Sequence, residues 1–119
     1  MSGARDERGA ATAELALGIP LLLSLTIGLV WLLGIGIAQV RMVDAAREAA
    51  RAAARGDPSA AAVGRALHVA PGAQVSVSEA DGELRAAVSD TVAPPGGLLA
   101  FLPAVRVHAQ ATTAVEVAP

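Results

Sequence analysis

The chain has no cysteine, no lysine and no tyrosine, and only one tryptophan and one phenylalanine among its 119 residues. Without cysteine there is no disulfide, no thiolate metal site and no thiol nucleophile. The same absence suits either redox compartment. Charge is scarce too, at 17% of residues against roughly 25% in ordinary globular chains. The net charge of −2 gives no general attraction to nucleic acid or anionic lipid. The two histidines, His68 and His108, fall on different expected elements, and no His/Asp/Glu spacing resembles a metal motif. No serine sits in a nucleophile elbow, and Gly96-Gly97 after two prolines is a turn rather than a phosphate cradle. The sequence therefore offers no catalytic residue, no metal ligand set and no cofactor or small-molecule site. A non-enzymatic protein is expected.

What the chain does have is alanine, 29 residues of it, and an apolar excess that is concentrated in one place. All nine basic residues are arginine, a bias that with the alanine fits GC-rich coding DNA. Charges stop at Glu14 and resume at Arg41, leaving 26 uncharged residues, LALGIPLLLSLTIGLVWLLGIGIAQV. As a helix this run reaches roughly 39 Å, more than the ~30 Å hydrocarbon core of a bilayer. It is too long for the apolar region of a cleaved secretory signal, and Ile37-Ala38-Gln39-Val40 is a poor cleavage site. A transmembrane helix over 10–40 is expected. Pro20 lies near its start, and Ser24, Gly28, Gly34 and Ala38 form two small-xxx-small pairs at which another helix could approach closely.

Beyond the membrane, Arg41–Arg55 reads as uninterrupted helix, with Asp44 in reach of Arg47 or Glu48 of Arg51. Its arginines suit a solvated face or a juxtamembrane anchor. The helix is expected from about Ala11 to Arg55, ended by Gly56-Asp57-Pro58. Asp57 then reads as an N-cap, with Pro58 opening a short helix to about His68 whose apolar edge is Val63 and Leu67. Strands follow: alternation over Gln74–Ser78, a hairpin turn at Asp81-Gly82, and a return through Leu84, Ala86 and Val88. Pro94 to Gly97 is loop, and Leu98–Leu102 is a short apolar segment. From Ala104 to Val117 valine, alanine and Thr113 face one way, and Arg106, His108, Gln110, Thr112 and Glu116 the other. The fold class expected is α+β: a long transmembrane helix continuing as a soluble helix (41–57), then a small antiparallel sheet domain (58–119). That domain is too small to bury much core alone, so its apolar face needs a cover.

The N-terminus carries the functional signal. A short charged leader ends in Arg8-Gly9; Ala10-Ala11-Thr12-Ala13 follow; Glu14 then stands at the head of the apolar run. A carboxylate is costly in hydrocarbon, about 2.5–3.5 kcal/mol at the centre and less at the edge, so Glu14 is either just outside the lipid or paired. The segment resembles the prepilin signature of type IV pilins. More widely the chain resembles the TadE-like branch of the tight-adherence (Flp-type) pilus system. Arg8–Leu17, Pro20, the Asp44–Arg51 stretch and a last strand ending Ala111-Thr112-Thr113-Ala114-Val115-Glu116 carry the likeness.

The resemblance implies a leader (1–9) cut by a membrane-embedded prepilin peptidase between Gly9 and Ala10, and a role for Glu14 in docking the freed amine of a neighbouring subunit. It implies as partners other pilin-like subunits and platform proteins of the pilus. It also places the N-terminus in the cytoplasm and the C-terminal domain outside. Basic-residue counting points the other way, with Arg5 and Arg8 before the span against Arg41, Arg47, Arg51 and Arg55 after it. Asp44, Glu48 and Asp57, interleaved with those arginines, can pair them locally, and the reading follows the motif. The rival is an uncleaved single-pass anchor whose soluble domain binds a partner complex.

Overall fold

The computed structural model describes residues 2–114, with side chains from residue 7 onward. The elements in order are helix α1 (Ser2–Ala54), helix α2 (Ser59–Val69), strands β1 (Gln74–Ala80) and β2 (Glu83–Val92), a 3₁₀ turn (Gly97–Leu99) and strand β3 (Val105–Ala114). The architecture is α+β, with a three-stranded antiparallel sheet in the order β1-β2-β3. Val115, Glu116 and Val117, expected to extend the last strand, lie outside the described residues.

Helix α1 starts at Ser2 rather than near Ala11. Residues 2–9 contain no proline, and once a helix is nucleated each added residue costs little. At the other end the expected stop is present in detail. Gly56 takes φ +88°, its amide donates to Ala53 O at 3.0 Å, and the Asp57 amide donates to Ala52 O at 3.1 Å. This is a Schellman motif, in which glycine tolerates the left-handed turn and the last carbonyls find donors.

Contacts divide the chain into two compact units. The first holds α1 as far as Leu33 together with Pro94–Pro103. Its helical part presents leucine, isoleucine and valine outward along its length, with Leu17, Leu21 and Leu33 well exposed. This helix is long and apolar enough to cross a membrane.

The second unit holds Gly34–Ala93 and the chain from Ala104. Its core joins Met42, Ala45, Ala46 and Ala49 of α1 to Ala66 of α2 and to Ala86, Val88 and Val107 of the sheet. The α1 positions fall at i, i+3, i+4 and i+7, one face of a helix. Among the described residues, Met42 and Val88 are the largest side chains fully enclosed here; most of the seam is alanine methyl groups. In the sheet, Leu84, Ala86 and Val88 are buried as the alternation predicts, and Arg85, Arg106 and His108 lie on the exposed face. The hairpin turn is the expected one, with Asp81 at φ +53° and Gly82 at φ +77° between paired Ala80 and Glu83. Both central residues need positive φ in such a turn, which is why Asp-Gly is favoured there. Gln39 of α1 donates from Nε2 to His108 O at 2.8 Å, which ties α1 to strand β3 within this unit.

Three local expectations are corrected. Pro58, with φ −57° and ψ 149°, is itself the N-cap of α2, and no side-chain cap is made, so Asp57 does not cap. Asp57 instead faces Arg55 at 3.6 Å and Arg65 at 3.9 Å. Glu48 pairs with Arg65 of α2 at 3.5 Å rather than with Arg51 one turn along. The tertiary partner wins because α2 brings a guanidinium alongside α1, whereas a pair within one helix contributes only a few tenths of a kcal/mol. Finally, the buried edge of α2 is Ala62 and Ala66, while Leu67 is exposed. The smaller side chains face inward and the larger one outward.

Candidate functional site

The candidate site is the N-terminal mouth of α1 and the face of small residues that follows it. Gly9 and Ala10 lie inside the continuous helix and are exposed, and a Cβ built on Gly9 would meet nothing within 4 Å. Thr12 Oγ1 donates to Arg8 O at 2.9 Å, which adds a side-chain bond to the turn holding the Gly9–Ala10 peptide. Glu14 is exposed and forms no ion pair among the described residues. About four residues of helix, roughly 6 Å of rise, separate the Ala10 amine position from Glu14. An amine freed at Ala10 and this carboxylate are thus within one turn of each other. The carboxylate is free to accept from the same chain or from another. Arg5 and Asp6 side chains lie outside the described region.

Pro20 sits one turn beyond Ala16, whose carbonyl finds no amide at position 20. Ser24 Oγ donates to Pro20 O at 2.8 Å, and Thr26 Oγ1 donates to Leu22 O at 2.9 Å. Both hydroxyls thereby satisfy themselves on backbone inside an apolar helix, and neither needs water.

The four small residues have different surroundings. Ser24 and Gly28 are half-buried and lie in an open apolar groove of about 600 Å³, with Leu25, Trp31, Leu32 and Leu102 among its walls. At Gly28 a Cβ would stand 3.4 Å from Leu99 Cδ1, so the missing side chain leaves room for Leu99 of the 3₁₀ turn. At Gly34 a Cβ would meet nothing within 4 Å. Ala38 packs against the core of the second unit, beside Ile35. The seat for Leu99 escapes sequence reading: Leu98–Leu102 is visibly apolar, but helical periodicity does not say what lands on Gly28. Arg65 escapes it for the same reason, since its partners Glu48 and Asp57 come from another helix and a loop.

Among the described residues no group of three or more His, Asp or Glu side chains converges to hold a metal ion. His68 lies on α2 and His108 on β3, both exposed. Among the described residues, the polar groups of the apolar helix include Glu14, the self-satisfied hydroxyls of Ser24 and Thr26, and the Trp31 indole, whose buried Nε1 has no hydrogen-bond partner there.

No curated protein and no solved structure matches the chain. A family model does, and it covers the Gly9–Ala10 peptide, the apolar helix and the arginine-alanine continuation that lines the core of the second unit. Residues 9–51, from Gly9 through Glu14 to Arg51, match the model of the family described as TadE-like protein.

Proposed function

We propose that the protein is a non-enzymatic minor pilin-like (pseudopilin) component that serves assembly of a tight-adherence type IV pilus or a related secretion apparatus. The TadE-like match points to a pilus-associated, membrane-associated component. The finer reading rests on one observation: Glu14 stands exposed and without an ion-pair partner among the described residues, one turn beyond the Gly9–Ala10 bond, where lipid-facing helix begins. In this reading a prepilin peptidase cuts between Gly9 and Ala10. The new α-amine, positive at neutral pH, becomes the partner of a Glu14 carboxylate on an adjacent subunit. In a low-dielectric setting such a pair is strong, but desolvation of both groups offsets much of the gain. Its use is then register between subunits more than stability of one. The N-terminus faces the cytoplasm, and the domain beyond α1 works outside, against pilin-like subunits and platform proteins.

The test is Glu14→Ala in the native membrane. It should still insert, still lose residues 1–9 by intact-mass measurement, and fail to co-purify with pilin or platform partners. Assembly and adhesion equal to wild type would remove Glu14 from the mechanism.

One observation favours a second reading, an uncleaved membrane anchor. The Gly9–Ala10 peptide is helical, with Thr12 bonded back to Arg8 O, so a protease must first open this turn. An intact mass that retains residues 1–9 in the mature membrane fraction would favour the anchor.

A further inference from the structure

Between Asp90 and Arg106 there is no charged residue, and at the centre of this stretch lies Pro94–Pro103, PPGGLLAFLP. This segment belongs to the same compact unit as the apolar helix up to Leu33. It turns on Gly96 and Gly97, both at positive φ, into the 3₁₀ turn Gly97–Leu99. Leu99 then sits over Gly28. Its neighbours do not follow it inward. Leu98 is 65% exposed and Phe101, the chain's sole phenylalanine, is 79% exposed. A soluble loop that displayed these side chains to water would lose hydrophobic free energy and gain no packing.

The helix fixes where the loop lies. Ile35 and Ala38 pack against the core of the second unit, so lipid contact on that face of α1 ends near Leu33. Counting back ~30 Å at about 1.5 Å per residue leads to Glu14, where charge begins. The hydrocarbon span is then 15–33, inside the 10–40 expected from the sequence, with the exposed Ile37 and Val40 placed in the interface beyond it. Trp31 falls just inside its C-terminal boundary, where tryptophan is enriched in membrane proteins. Gly28 lies five residues before Leu33, roughly 8 Å inside that boundary. The loop seated on Gly28 is at the same depth, within the ~5–10 Å reached by interfacial apolar segments.

The backbone suits such a place. Pro94, Pro95 and Pro103 carry no N–H, and the amides of Leu99, Ala100 and Leu102 are bonded within the segment at 3.1–3.2 Å. Six of the ten positions therefore carry no unpaired amide, and the remaining amides and carbonyls fit the hydrated interfacial zone rather than the bilayer centre. The surface of Leu98 and Phe101 is also continuous in character with the exposed Leu25, Leu29 and Leu32 of the span.

We infer that Pro94–Pro103 is a second membrane contact: a re-entrant wedge, seated through Leu99 on Gly28, whose Leu98 and Phe101 insert among the acyl chains of the leaflet on the C-terminal side of α1. The inference rests on the reading of α1 as a membrane span. The occupant is lipid hydrocarbon, with no headgroup specificity, because the segment carries no charge.

The test uses the full chain in phosphatidylcholine vesicles. The protein has no cysteine, so Phe101→Cys accepts one environment-sensitive fluorophore, and Trp31 serves as an internal reporter of the span. Quenching by lipids brominated at shallow and deep acyl positions is read at both sites, with Ser78→Cys on the exposed sheet face as the aqueous reference. The expected result is loss of fluorescence at Trp31 and at position 101, and none at position 78. Gly28→Leu, which fills the seat of Leu99, should reduce quenching at position 101 while Trp31 stays quenched. Quenching at Trp31 with position 101 open to aqueous iodide would overturn the wedge and leave the span standing. A label at position 101 shielded from both iodide and brominated lipid would overturn it in favour of a contact with a second copy. No quenching at either site would overturn the span and the wedge together.

Discussion

Met42→Ala is the perturbation that probes the core of the second unit most directly. Met42 is 2% exposed and sits among Ala45, Ala46 and Ala49, all fully buried. The substitution deletes Cγ, Sδ and Cε. At about 0.8 kcal/mol for each buried methylene-sized group, the lost transfer energy is about 2.4 kcal/mol. A cavity term of about 1 kcal/mol adds to this if the site does not collapse. Collapse is poor here, because the neighbouring alanines have no rotamers with which to fill a void. The total is about 3 kcal/mol. A unit of roughly 70 residues has about 4–10 kcal/mol of stability altogether, so the loss is a third of it or more. Trp31 lies in the other unit and there is no tyrosine, so intrinsic fluorescence does not report on this core. Hydrogen exchange read by mass spectrometry over β1 and β2, in full-length protein in detergent micelles, does. About 3 kcal/mol corresponds to roughly 150-fold faster exchange of the most protected amides. Met42→Leu keeps the volume and should cost less than about 1.5 kcal/mol. If Met42→Ala accelerated exchange less than about threefold, the helix and sheet would not share one cooperative core, and the reasoning would fail.

Three further outcomes follow from the same residues. Gly9→Leu should block removal of residues 1–9, so that full-length protein accumulates in membranes; an intact mass showing a cut after residue 9 in this variant would exclude a prepilin-type peptidase. A reporter fused after Pro119 and active only outside the cytoplasm should be active; a reporter functioning only in the cytoplasm would show that the arginines after the span set the topology. Arg65→Ala removes both the Glu48 and Asp57 pairs, yet all three side chains are substantially exposed. Its cost should stay below about 1 kcal/mol in the same exchange assay, and a loss comparable to that of Met42→Ala would mean that these charges act as a buried network.

Much of the fold was legible because its signals are local. The 26-residue uncharged run, the Gly56 stop, the Asp81-Gly82 hairpin and the alternation through Leu84, Ala86 and Val88 each use only neighbouring residues. Two of the misreadings concern tertiary choice. Glu48 had an acceptable partner on its own helix and took Arg65 instead. α2 offered Val63 and Leu67 as the larger apolar pair, but the space beside α1 admits methyl groups, and Ala62 and Ala66 fill it. Asp57 had the chemistry of a cap but not the position, since Pro58 took the N-cap conformation. At the candidate site, the Gly9–Glu14 spacing was visible in the letters alone. The placing of Leu99 on Gly28 was not, because 70 residues of chain separate them and no periodicity reports on such a meeting.

The alanine seam gives this small domain an unusual spectrum of mutational error. Where a core is built from leucine and valine, mutation most often deletes methyl groups, and the damage is a void into which neighbours partly relax. Ala45, Ala46, Ala49, Ala52, Ala62 and Ala66 have almost nothing to delete. Of the residues one base change away from an alanine codon, glycine alone is smaller; valine, threonine, serine, proline, aspartate and glutamate all add bulk, charge or a helix break. Drift along this seam therefore acts by wedging helix and sheet apart or by placing polarity between them, and overpacking has no soft side chains to absorb it. A GC-rich genome that keeps supplying alanine would thus also keep supplying the residue that this interface tolerates best, so composition bias and structural constraint pull in the same direction.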